Sequence, residues 1–142
     1  MVLIAAAVAI LLFWPRMVWP RAPLGPVAAA ALLGGAETTL TPVSAAFHGS
    51  IRVRADIHAG WMFVSYNRVT QLPPHDVYEA WYIEGTRHVK AGTFSVNAER
   101  HESVWVHTPV IVHEAVAVGV TVEPKPGTSK PTGARAFFGK LP

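Results

Sequence analysis

The chain has 142 residues, 51% of them apolar and 15% charged, with a formal net charge of +3 and no cysteine. Without cysteine there is no disulfide, no thiolate nucleophile and no zinc site built on sulfur. The basic residues are scattered and form no Lys/Arg run, which argues against nucleic acid as a partner, while the high apolar fraction points to a membrane attachment.

Val2 to Trp14 is an uninterrupted apolar run of thirteen residues, followed by Pro15, Arg16 and Met17-Val18-Trp19. A bilayer span needs about twenty residues, so the predicted transmembrane or signal-anchor helix covers residues 1–20, with Arg16 snorkelling beside Trp14 and Trp19. No Lys or Arg precedes Val2, unlike the start of a signal peptide, and an anchor is therefore preferred to a signal-peptide core or a buried core helix. Met1 followed at once by the apolar core reads as a late start. Taken alone, Arg16 and Arg21 would put the C-terminal side in the cytoplasm. Residues 21–37, rich in Pro, Ala and Gly, read as a juxtamembrane linker with a short helix over 27–33 that stops at Gly34-Gly35.

From Thr38 the pattern changes to period two. Thr38 to Val43 reads as an edge strand bounded by Pro42. In Ser50 to Ile57 the apolar Ile51, Val53, Ala55 and Ile57 alternate with Arg52, Arg54 and Asp56, the signature of a half-buried antiparallel strand. Gly60 marks a turn and Trp61 to Val69 the next strand, so residues 50–69 form a hairpin. Further strands are predicted at Val77 to Ile83, His88 to Phe94, Ser103 to His107, Ala115 to Glu123 and Ala134 to Gly139. The pattern predicts an all-β domain over residues 38–142, an antiparallel β-sandwich of seven to eight strands in preference to a barrel.

Within Val116 to Gly133, Val116, Val118, Val120 and Val122 share one strand face, and the small Ala117, Gly119 and Thr121 share the other. One face fills a core; the other, with Gly119 at its middle, leaves room for a close approach. The prolines and glycines after Glu123 predict an ordered loop. Glu123 is predicted to accept hydrogen bonds that fix this loop, with Thr128 and Ser129 as candidate donors.

No constellation for catalysis is found. His101, His107 and His113 are spaced by six with Pro109 between, which is not the spacing of a metal-ligand pair, although a metal- or small-ligand-binding domain using the histidines is the alternative reading. Asp56, His58 and Ser50 lack a nucleophile elbow. No cofactor is expected. Trp81 and Ile83 read as core, and Glu79 on their face is either at a rim or held by a buried donor.

Leu72-Pro73-Pro74, then Tyr78-Glu79-Ala80-Trp81, then Ala91-Gly92-Thr93-Phe94, and finally Thr121-Val122-Glu123-Pro124 through Gly127 to Pro131-Thr132-Gly133 follow one another in an order that resembles the C-terminal domain of anti-sigma-K factors. The resemblance covers roughly residues 38–139. Ala80 departs from the usual Leu, and Thr128 from the second Gly of the loop. The resemblance implies a non-catalytic, single-pass membrane protein with this domain outside the cytoplasm, acting in transmembrane control of sigma-factor-dependent transcription. It implies structural roles for Leu72, Pro73, Tyr78, Glu79, Trp81, Gly92, Phe94, Thr121, Glu123, Pro124, Gly127, Pro131, Thr132 and Gly133. Intramembrane-signalling proteases and a sigma factor, the latter through a missing or separate cytoplasmic domain, are the partners it implies besides the membrane. The zinc-associated His-x3-Cys-x2-Cys segment of such factors has no counterpart in these residues.

Overall fold

A computed structural model of the chain describes residues 35–97, 101–107, 112 and 114–142. The apolar run, the helix predicted for it and most of the linker lie outside the described residues. Among the described residues no helix is long and apolar enough to cross a membrane.

Eight strands follow one another: β1 (Ala36–Pro42), β2 (Ser50–Asp56), β3 (Trp61–Asn67), β4 (Asp76–Glu84), β5 (Arg87–Phe94), β6 (His101–His107), β7 (Ala117–Pro124) and β8 (Arg135–Lys140). Each sits where the period-two pattern predicts it, to within a few residues at the ends. They hydrogen-bond in the order β5-β4-β7-β8-β1-β2-β3-β6, and every neighbouring pair is antiparallel.

This single order curls into a half-barrel, where a two-layer sandwich was expected. The reason lies in β1, which is not an edge. Its first part, Ala36 to Leu40, pairs with β2, and Thr41 and Pro42 pair with β8, so one strand joins the two leaves. Pro42 is tolerated because it sits at the strand's last position, where Val43 resumes the bonding to Ala136 O at 3.0 Å. The edges are β5 and β6, which approach each other across the opening of the curl.

The interior holds Leu40, Ile51, Val53, Met62, Val64, Tyr66, Val118, Val120 and Phe137, all buried. Burying each large side chain stabilises by about 1.5–3 kcal/mol. The aromatic centre is Tyr78, stacked on Phe94 at 5.7 Å and edge-on to Phe137 at 6.1 Å. Its hydroxyl donates to Thr70 O at 2.7 Å, and burial pushes the phenol up to about 12, so it remains a neutral donor.

The β2–β3 turn explains Asp56. Its Oδ1 accepts from His58 N at 3.1 Å and Ala59 N at 3.0 Å, while Gly60 N closes onto Asp56 O at 3.0 Å. Asp56 is thus a turn residue, and Ser50 lies at the opposite end of β2. Asp56→Ala is expected to cost about 1 kcal/mol in chemical denaturation, the worth of a local side-chain cap.

Antiparallel pairing also sorts the loops. The end where the chain enters from Gly35 carries Asp56, Trp61, Glu84, Arg87, Ala117 and Lys140. The far end carries Pro42, Ser50, Asn67, Asp76, Phe94, Pro124 and Arg135.

Candidate functional site

On β4 and β7 both strand faces are buried. Tyr78, Ala80 and Tyr82 with Val118 and Val120 face the interior, which leaves Glu79, Trp81, Thr121 and Glu123 on the outer face. That face is covered where the segment after β7 folds back over it as a strap. Trp81 and Ile83 were expected in the core. Trp81 is 1% exposed but lies on the outer face, apart from the apolar cluster. Alternation told which residues share a face; it did not tell which face points inward, because both are buried.

Two carboxylates hold the strap. Glu123, fully buried, accepts from Thr132 N at 2.9 Å, from the Thr132 hydroxyl, and from Gly133 N, which forks to both oxygens at 3.1 Å. A fourth donor is Thr121, whose hydroxyl gives its proton to Glu123 Oε1 at 2.6 Å and accepts from Trp81 Nε1 at 2.9 Å. Burial alone would raise this carboxyl, but the bonds from Thr121, Thr132 and Gly133 outweigh it and bring it down to about 2. The strap's donors to Glu123 are therefore Thr132 and Gly133 in place of the expected Thr128 and Ser129, and Thr128 belongs to the other carboxylate.

Glu79, also fully buried, accepts from Thr128 N at 2.9 Å. The Thr128 hydroxyl has one proton to share between Glu79 Oε2 at 3.2 Å and Lys130 O at 2.8 Å, and the shorter contact takes it. Lys90 Nζ stands 2.6 Å from Glu79 Oε1 and donates to Thr128 O at 3.1 Å. Its approach to Oε1 is off the hydrogen-bonding direction, so that oxygen is neutralised by the ammonium without a hydrogen bond. Glu79 is held by a donor at depth, one of the two alternatives its position on the strand allowed.

The strap's glycines are spacers for this contact. A Cβ on Gly133 would stand 1.7 Å from Val122 O, and one on Gly127, whose φ is 112°, would stand 2.8 Å from Thr93 Cγ2 and 3.1 Å from Glu79 Oε1. Gly119, singled out in the sequence for a close approach, is roomier: its Cβ would meet Ile83 Cδ1 at 3.4 Å, an ordinary contact.

The remaining motif residues frame the strap. Leu72 packs against the core, and Pro73 O accepts from Asp76 N at 3.1 Å to lead into β4. Gly92 pairs with Ala80 beside a register shift between Ala80 and Trp81. Pro124 O accepts from Gly127 N at 2.8 Å, the Lys125–Pro126 peptide is cis, and Pro131 is half-buried.

The oxygens of both acids face donors of the chain itself, and the carboxylate of Glu123 is held ionised, the state that accepts and cannot donate a proton. Among the described residues no group of three or more His, Cys, Asp or Glu could hold a metal. The side chains of His101, His107 and His113 lie outside the described set. A cavity of about 340 Å³ at the Gly35 end brings His58 and Asp56 together with Ala55, Ala115 and Leu141, with no hydroxyl or thiol side chain in its lining.

No curated protein and no solved structure matches the chain. The family model described as anti-sigma-K factor rskA, C-terminal, matches residues 1–135, from the apolar run through the strap to the first residue of β8. That span is nearly the whole chain, and it contains both carboxylates and their donors; the chain belongs to the anti-sigma-K factor C-terminal family, a regulatory family.

Proposed function

We propose that the chain is a membrane-anchored, non-catalytic regulatory module whose β domain lies outside the cytoplasm and acts in transmembrane control of sigma-factor-dependent transcription. Residues 1–20 serve as the anchor, the Pro- and Ala-rich stretch up to residue 35 as the spacer, and the half-barrel as the part that senses. The observation that carries this reading is the extent of the family match, which begins at residue 1 and so takes in the apolar run together with the β domain. Contact with a sigma factor belongs, in this reading, to a separate cytoplasmic segment, because the β domain lies on the other side of the membrane. A carboxylate-latched strap suits a sensor, since it gives the domain a defined closed state without a reactive group.

Membrane fractionation combined with protease accessibility tests the proposal. The expected result is a chain that sediments with membranes, resists extraction by carbonate, and has its β domain cleaved only from the outer side. Recovery as a soluble protein, or cleavage of the β domain only from the cytoplasmic side, would sink it.

A further inference from the structure

The two ends of the half-barrel differ in charge. At the Gly35 end the acids Glu84 and Glu37 are met by Arg87 at 3.3 Å and Arg54 at 2.7 Å, with Asp56 and Glu114 adding further negative charge and Lys140 a positive one. At the far end Arg68, Lys125, Lys130 and Arg135 are all exposed, and none forms an ion pair with an acidic side chain among the described residues. The one acid described there outside the strap's buried pair, Asp76, is half-buried and faces His75 at 3.9 Å. The two carboxylates nearest the strap are buried beneath it and occupied by its own donors. Three of the four cations are carried by the strap and the start of β8, so latching the strap also fixes them in place. The strap is tied to the β3–β4 connection by Lys125 N donating to His75 O at 2.9 Å.

Beside Lys125 is a cavity of about 90 Å³, lined by Leu72, Pro73, Pro74, Val96 and Asp76 among others. It is large enough for one aliphatic side chain and too small for a cofactor. Exposed, unpaired cations, of which Lys125 lines a small, partly apolar recess, are complementary to an acidic segment that inserts one apolar residue.

We propose that the far end of the half-barrel is a docking surface for an acidic protein segment, with the cations on and beside the strap attracting it and the recess at Leu72 and Lys125 seating one apolar side chain. The choice of a protein over a lipid headgroup rests on the anchor reading above, which puts this end away from the chain's own membrane.

The probe is a fluorescein-labelled peptide of glutamates with one central leucine, titrated by anisotropy against the full chain in a zwitterionic detergent at low ionic strength. Exposed charge pairs are each worth a few tenths to one kcal/mol, so Lys125→Gln/Lys130→Gln/Arg135→Gln is expected to raise Kd about tenfold. Added salt should weaken binding in the same direction. Replacing the peptide's leucine with serine is expected to weaken it several-fold. The control Arg87→Gln/Lys140→Gln, at the opposite end, should leave Kd unchanged, and the melting temperature of both variants should match that of the parent. Equal losses in the two variants, no loss in the triple variant, or tighter binding of inorganic polyphosphate than of the peptide would overturn the proposal. A chain that fractionates as soluble yet binds the peptide through these cations would remove the anchor and leave the docking surface standing.

Discussion

Glu123→Ala is expected to lower the stability of the β domain by about 3–4 kcal/mol, read as a fall in the denaturation midpoint at unchanged slope. The substitution leaves the backbone donors of Thr132 and Gly133 and the Thr121 hydroxyl facing a hole where the carboxylate was, and Thr121 in turn orients Trp81. Trp81 fluorescence should therefore shift at denaturant concentrations where the parent is still folded. Glu123→Gln keeps the shape and part of the acceptor capacity, and is expected to fall between the two. An Ala variant as stable as the parent would show that the strap does not depend on this acid.

The same group sets an acid limit. Its folded-state value is depressed from the ordinary 4.5 to about 2, so its stabilising contribution is fully present above about pH 4.5 and is lost as pH falls from there toward 2. The linked free energy is about 3 kcal/mol. Glu37, lowered in the same sense by Arg54, acts in the same direction at the surface. Stability measured from pH 6 down to pH 2.5 should fall steeply in the parent and more gently in Glu123→Gln.

Gly133→Ala is the second large effect, expected at about 3 kcal/mol. Its added methyl carbon would occupy the position of Val122 O, a backbone atom of β7 that has no rotamer to escape into. Val122 N donates to Ala134 O at 2.9 Å, so the strap and β7 are bonded at this very point and cannot part without losing that bond. The strap must lift or β7 must bend. Gly119→Ala supplies the contrast: its methyl reaches Ile83 at an ordinary distance, and a change within about 0.5 kcal/mol is expected. Because Glu123→Ala and Gly133→Ala release the same strap, their double variant should be less destabilised than the sum of the two. Full additivity would mean that the two residues act on separate structures.

The far-end cations link this stability to the proposed docking. A strap released by acid or by Gly133→Ala no longer holds Lys125, Lys130 and Arg135 in one arrangement, so the affinity of an acidic segment should fall along with strap closure. The domain would then report on its surroundings through a local opening, while the half-barrel stays folded.

Much of the scaffold could be read along the chain. Alternation at Ile51, Val53 and Ala55, the Gly60 turn and the proline stops located all eight strands, because strand periodicity and turn chemistry are local properties. The order of the motifs around Glu79, Trp81, Glu123 and Gly133 was enough to place the chain in its family. The sheet arrangement was not legible. A strand's pairing partners lie far away in sequence, and Pro42 marked β1 as an edge although its two halves bond to β2 and β8. The faces of β4 were also undecided, since Glu79 and Trp81 on the outer face are buried as fully as Tyr78 and Tyr82 on the inner one. Tertiary structure decided which residue of the strap meets which acid: Thr132 for Glu123 and Thr128 for Glu79. Spacing along a proline-rich loop does not say where the chain folds back, and that return sets the donors, the depressed acidity of Glu123 and the cations at the far end.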